Sequence, residues 1–180
     1  GVANHGFCYH GVGNRGFCNR GFCNRSGGVE GEPPRSRGRR REVNVFTYGS
    51  LMYAPVWDGV VRGRYRSAPA RLDGWRRHAL AGATYPGAVA TPGAAILGRV
   101  YFDVGADDLL RLDAFEGDEY RRDTVRLVLP EPVGATSPAQ VYAFLDGTRL
   151  RPHDWDAERF VREHMAGFVR EHLGRGAEPR

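Results

Sequence analysis

Residues 43–52 read VNVFTYGSLM, a β-branched and aromatic run that ends abruptly at Gly49-Ser50. Such side chains suit a pleated, half-buried surface, so residues 43–48 are expected to form a strand. A strand running straight into Gly-Ser lets backbone N–H groups turn outward together, and glycine allows an anion to come close. An ordinary strand-ending turn has the same composition, and these residues alone leave both readings open.

Downstream, residues 60–80 alternate arginine with apolar side chains. They read as strands or extended segments, interrupted at Pro69 and at Asp73-Gly74. Tyr85-Pro86-Gly87 and Thr91-Pro92-Gly93 are turn signals. Residues 95–104, 124–130 and 139–145 read as further strands, the last two joined by a Pro/Gly/Ser loop. Two segments have helical spacing. In residues 106–115, Leu109, Leu110, Leu112 and Phe115 recur on one side, with Asp107 and Asp108 suited to the first turn. Near the C-terminus, Phe160, Val161, Met165, Phe168, Val169 and Leu173 mark one face, with Asp154 or Asp156 as N-cap and Gly174 as the stop. Five or more strands and two helices that do not alternate argue for an α+β fold, in which short antiparallel strands close into a small barrel.

The second chemically suggestive stretch is LDAFEGDEYRR, residues 112–122. A helix whose apolar face ends at Phe115 delivers Glu116 directly into Gly117. The helix macrodipole is negative at that end, so a carboxylate there is disfavoured. Beside a buried face, desolvation adds to the dipole and raises its pKa, as a general acid/base working near neutral pH requires. The same spacing also fits an exposed Glu116 before a plain glycine C-cap.

The net positive charge and all the cysteines fall in the first quarter. The 180-residue chain has a net charge of +5, 26 Arg with no Lys against 21 acidic residues. Residues 1–42 hold eight Arg and three Glu, so the remainder is neutral. The domain beginning at Val43 therefore has no electrostatic case for binding a polyanion. Cys8, Cys18 and Cys23 all precede it, so the domain needs no disulfide framework and suits a reducing cytosol. Residues 1–42 run in fives (GFCNR, GFCNR) with too few apolar side chains to bury, and are expected to be disordered, as are residues 176–180. Cys18 and Cys23 are separated by four residues with Cys8 alone, an incomplete set for structural zinc. The run Arg35–Arg41 (RSRGRRR) reads as a solvated linker, with RNA contact as its alternative. No apolar run approaches the ~18 residues of a membrane span, and the first ten residues lack the basic and apolar regions of a signal peptide.

The ordered combination of FTYGSLM (46–52), LDGWRRHAL (72–80), YPG (85–87), LGRVYF (97–102), LDAFEGDEYRRDTV (112–125) and DWD (154–156) resembles the γ-glutamylcyclotransferase superfamily. It is most similar to the small avirulence-induced, γ-glutamylamine-cyclotransferase-like branch, over residues 43–173. The resemblance implies a small mixed β-barrel with flanking helices and a C-terminal helix, in a domain spanning residues 43–175. It implies a ligand loop at Tyr48, Gly49, Ser50, Leu51, Met52 and Tyr53, whose N–H groups hold the α-carboxylate of a γ-glutamyl group. Glu116, rather than Glu119, corresponds to the acid/base, and Tyr120 to an aromatic residue of the pocket. The implied reaction cyclises the γ-glutamyl group of a small amine or peptide to 5-oxoproline and releases the free amine, with no metal or organic cofactor. A cytoplasmic enzyme without membrane or nucleic-acid partners follows, with a non-catalytic γ-glutamyl-binding module as the alternative. His78 and His164 have no activating partner motif and read as packed or surface residues. Trp57, Trp75 and Trp155 read as packing.

Overall fold

The computed structural model describes residues 42–130 and 135–174. The expectations for the N-terminal repeats, the Arg35–Arg41 run and residues 176–180 lie outside these residues. The domain opens with β1 (Val43–Thr47), a 3-10 turn (Ser50–Met52) and α1 (Ala54–Val60). The long strands β2 (Ser67–Leu80) and β3 (Pro86–Val104) follow, then α2 (Ala106–Glu116) and a 3-10 turn (Gly117–Glu119). After β4 (Tyr120–Val128) and β5 (Thr136–Phe144), another 3-10 turn (Gly147–Arg149) leads into β6 (Leu150–Asp154). The last helical stretch is α3 (Ala157–Arg159), a π turn (Phe160–His164) and α4 (Met165–His172).

Neighbouring strands run β3-β1-β5-β4-β2, and β2 pairs back onto β3. This closes a five-stranded barrel, with β6 appended to β2 outside the ring. The barrel is mixed because β1 lies parallel to β5 while its other neighbour, β3, is antiparallel. β1 is covered on both faces, and its period-2 alternation serves two cores. Phe46 points into the barrel with Leu72, Ile96, Val100, Leu127 and Val141, so all five strands contribute to that core. Val45 points outward to a second core against the helices, with Trp57, Tyr101, Leu112, Phe160 and Phe168.

Several local expectations are corrected. Thr91-Pro92-Gly93 does not break the chain, and β3 runs through it for 19 residues. Residues 61–66 are irregular rather than extended. Asp108, buried in the first turn of α2, accepts from the backbone N–H of Arg62 and Gly63 (2.9 and 2.7 Å) and from the Tyr65 hydroxyl (2.7 Å). The short helix α1 is not anticipated by periodicity, having only seven residues, although Pro55 suits its first turn. β6 is also unanticipated. Asp156, not Asp154, caps the last helical stretch, accepting from the Arg159 N–H at 2.8 Å, while Asp154 lies in β6 and pairs with Arg76. Val161 is 45% exposed. The π turn changes the helical register at that point, so the apolar face passes from Phe160 to Phe168 without it.

Trp57 links the outer core to the turn at Ser50–Met52. Its ring stacks on Tyr101 (3.5 Å between centroids, 2° between planes), and the Tyr101 hydroxyl donates to the Leu51 carbonyl at 3.3 Å. Trp57→Ala is expected to destabilise the fold by about 3–5 kcal/mol. Denaturant unfolding monitored by circular dichroism would measure the loss, and a change below about 1 kcal/mol would contradict this packing role.

Candidate active site

β1 carries the chain into the barrel wall, and the next residue, Tyr48, is buried. Its hydroxyl donates to the Tyr142 carbonyl at 2.6 Å and accepts from the Ala88 N–H at 3.3 Å. From the other side, the Arg77 guanidinium donates to the Tyr48 carbonyl at 2.8 Å. Gly49 follows at a point of close approach. A Cβ there would lie 2.8 and 2.9 Å from Cγ and Cδ of Pro86, inside any real contact distance. The chain then closes a 3-10 turn through Met52 N–H to Gly49 O (3.0 Å) and Tyr53 N–H to Ser50 O (3.2 Å). The first N–H groups of that turn, on Ser50 and Leu51, have no acceptor among the described residues.

Opposite the turn stands the end of α2. Gly117 takes φ 66° and ψ −162°, a conformation open essentially to glycine alone, and its N–H caps the helix on the Asp113 carbonyl. The helix therefore stops with Glu116 as its last residue. Glu116 is half-buried and its carboxyl group is enclosed, which pushes its pKa up to about 8. Desolvation by burial is the cause. No hydrogen bond or ion pair reaches this carboxyl among the described residues, yet it is not a sealed, unsatisfied group.

Gly49, Ser50, Leu51 and Glu116 line one cavity of about 130 Å³, walled by the rings of Tyr48, Tyr85, Phe115, Tyr120, Tyr142 and Phe168. Tyr120 donates to the Pro86 carbonyl at 2.8 Å, and burial drives its pKa far above the ordinary value. Glu119 also borders the cavity but is occupied. It accepts from the Tyr85 hydroxyl at 2.9 Å and forms an ion pair with Arg149. The two carboxylates bordering the cavity therefore differ in kind: among the described residues Glu119 is paired, and Glu116 is left available to a ligand.

Among the residues expected from sequence, Tyr48, Gly49, Ser50, Leu51, Glu116 and Tyr120 come together on the cavity. Met52 and Tyr53 do not line it. The turn carries Met52 to a separate depression beside Trp57 and Tyr101. Tyr53 packs on Phe160 (6.0 Å between centroids), with its hydroxyl 3.4 Å from the Ala157 carbonyl. Sequence reasoning missed Tyr142, Phe168 and His172 as cavity residues, and took Tyr85-Pro86 as a turn and part of a family motif without placing it at the cavity. Phe168 had a signal as part of the apolar helical face. Nothing local marked Tyr142 or His172.

A sequence profile described as gamma-glutamyl cyclotransferase, AIG2-like, matches residues 45–157. The chain belongs to this family. AIG2-like protein D of Arabidopsis thaliana is 30% identical over 134 residues, covering 71% of this chain and 84% of the relative. The solution structure of another Arabidopsis thaliana protein superposes with a TM-score of 0.58 at 28% identity, over 77% of this chain and 86% of the other. A structure named gamma-glutamyl cyclotransferase has the same fold, with a TM-score of 0.51 at 15% identity over 78% and 90% of the two chains. The mixed barrel with flanking helices is thus the fold of gamma-glutamyl cyclotransferases. No helix among the described residues is long and apolar enough to cross a membrane.

The environment of Glu116 in this AIG2-like cyclotransferase domain makes a prediction about stability. The carboxyl holds its proton up to about pH 8 when folded, against about 4.5 as the ordinary value. Below pH 4.5 the group is protonated in both states and imposes no penalty. The penalty grows as pH rises from 4.5 to 8 and levels off above, because the folded state resists ionisation. Glu116→Gln removes it. The variant is expected to match wild type in melting temperature at pH 4.5 and to exceed it at pH 8.5, by the equivalent of a few kcal/mol at ~1.36 kcal/mol per pKa unit. Equal melting temperatures at both pH values would contradict this environment.

Proposed function

We propose that this chain is a γ-glutamylcyclotransferase, with Glu116 as acid/base and the turn at Gly49–Leu51 as the seat of the substrate's α-carboxylate. The observation that carries the reading is the pairing, across one small cavity, of a carboxyl of raised pKa with the first N–H groups of the turn, on Ser50 and Leu51, none of them hydrogen-bonded among the described residues. A γ-glutamyl group matches both. Its α-carboxylate suits the N–H groups of Ser50 and Leu51, and its α-ammonium suits the carboxylate of Glu116.

Ionised Glu116 takes a proton from the α-ammonium, and the freed amine lone pair attacks the γ-carbonyl carbon of the same molecule. The new C–N bond closes a five-membered ring, and the carbonyl electrons move to oxygen. As they return, the bond from that carbon to the leaving nitrogen breaks, the proton held by Glu116 goes to that nitrogen, and the second proton on the ring nitrogen passes through the same carboxylate to the amine, which departs as an ammonium. The products are 5-oxoproline and a free amine, and the acid/base is restored. Nucleophile and electrophile belong to one molecule, so a cavity that folds the substrate into its cyclic conformer supplies much of the acceleration. The aromatic walls limit water around the carboxyl and keep its pKa in the range where it can both take and return a proton.

The test is to incubate the full 180-residue chain with glutathione, γ-glutamyl amino acids, γ-glutamyl-ε-lysine and simple γ-glutamyl amines, and to quantify 5-oxoproline and released amine together. Equimolar appearance of the two from at least one compound is expected. Tight binding of a γ-glutamyl compound with no product would instead identify a non-catalytic binding module.

A further inference from the structure

The acid and the turn lie on different elements, α2 and the end of β1, and their separation has to be held by something. Tyr142 on β5 touches both. Its backbone carbonyl accepts the Tyr48 hydroxyl at 2.6 Å, next to the turn. Its own hydroxyl donates to Oδ1 of Asp113 at 2.8 Å. Asp113 lies one helical turn before Glu116, and its backbone carbonyl takes the capping N–H of Gly117. Arg122 on β4 forks onto both oxygens of the same carboxylate, with Nε 2.6 Å from Oδ1 and Nη2 3.1 Å from Oδ2. The last turn of α2 is thus clamped through backbone and side chain to two adjacent barrel strands.

We propose that Asp113 and Tyr142 are positioning residues, a strut that fixes the Glu116 carboxyl relative to the turn at Gly49–Leu51 and keeps solvent from it. This rests on the cyclotransferase reading for its catalytic consequence, though not for its effect on Glu116 itself. Three features distinguish the strut from ordinary packing. Its carboxylate is neutralised by a two-pronged arginine contact, so it holds Glu116 in place without adding a second negative charge beside it. Tyr142 is buried, and its ring is also part of the cavity wall. Tyr142 and Tyr120 further line a shallow depression on the outer side, together with Asp113, Gly117, Asp118 and Arg122. Those two rings therefore partition the enclosed carboxyl from an open surface. Slackening the strut admits water from that side, and a hydrated carboxyl returns toward its ordinary pKa. The other titratable groups around the cavity are Tyr48, Tyr85, Glu119, Tyr120 and His172, and neither substitution proposed below replaces them.

Tyr142→Phe removes only the hydroxyl and keeps the ring and the carbonyl that receives Tyr48. Asp113→Asn keeps the shape and an acceptor for Tyr142 but loses the charged pairing with Arg122. Arg121→Gln serves as control, since Arg121 pairs with Asp123 on the exposed side of β4. For each full-length variant, the Glu116 carboxyl would be titrated by ¹³C NMR, and kcat and KM measured for 5-oxoproline release. Tyr142→Phe is expected to lower the Glu116 titration midpoint by a unit or more and kcat about tenfold, with KM within threefold; Asp113→Asn should do more of both. A role confined to stability would lower the melting temperature and leave the Glu116 midpoint where it was. Folded Tyr142→Phe and Asp113→Asn proteins with an unmoved midpoint would overturn the proposal, whatever their melting temperatures. Should wild type release no 5-oxoproline, the reaction reading fails alone, because the Glu116 titration still decides the strut.

Discussion

Glu116→Gln is expected to lower kcat for 5-oxoproline release by about 10²–10⁴-fold, the usual contribution of a positioned acid/base. Glutamine has nearly the same shape and can still hydrogen-bond an ammonium, but it cannot accept a proton at any working pH. Glu119 is not placed to substitute, since its carboxylate is engaged by the Tyr85 hydroxyl and by Arg149. KM should change little, because the α-carboxylate of the substrate is assigned to the turn rather than to Glu116. The readout is kcat and KM measured separately, on protein whose melting temperature shows it folded. Turnover within threefold of wild type would remove Glu116 from the chemistry.

Gly49→Ala is expected to be nearly as damaging by a different route. The added methyl group would sit 2.8–2.9 Å from the Pro86 ring, so one of the two must move. Pro86 is not free to retreat. It opens β3, and its carbonyl receives the Tyr120 hydroxyl at 2.8 Å, so displacing it drags a wall of the cavity along. The movement falls on the turn or on that wall, and misplacement of a reacting group by ~1 Å can cost about 10²-fold in rate. A loss of about 10²-fold in kcat/KM is expected, with the protein still folded. Gly147→Ala provides the comparison, since a Cβ at Gly147 meets no atom within 4 Å and activity there should be unchanged. Equal activity of the two variants would mean that the Gly49–Pro86 contact does not shape the site.

The parts of this site that were legible in the sequence are those specified by neighbours along the chain. The strand at Val43–Thr47 announces itself by β-branching, and the halt at Gly49-Ser50 by composition. The helix ending at Glu116 is marked by leucine spacing and a glycine stop, and a raised pKa followed from placing a carboxyl beside a buried face. What was not legible depends on residues distant in sequence. Nothing near Val45 says that β1 lies parallel to β5, because that pairing is decided by barrel closure. Thr91-Pro92-Gly93 has the chemistry of a turn, yet extended pairing with β2 on either side carries β3 through it. Met52 and Tyr53 share a motif with Ser50 and Leu51, but a tight 3-10 turn sends consecutive side chains in different directions. Tyr142 reads as one more strand aromatic until Tyr48 and Asp113 are seen on its two ends.

The central claim, an acid/base of raised pKa at Glu116 driving γ-glutamyl cyclisation, is tested most directly by kcat/KM for 5-oxoproline release as a function of pH from 5 to 10. Its dependence reports ionisation of the free enzyme's essential groups. Because Glu116 must be ionised to take the first proton, activity should rise with pH along a limb whose midpoint lies near 8, the value to which burial raises its carboxyl. A profile already level at pH 6, or no 5-oxoproline at any pH from a folded chain, would contradict it.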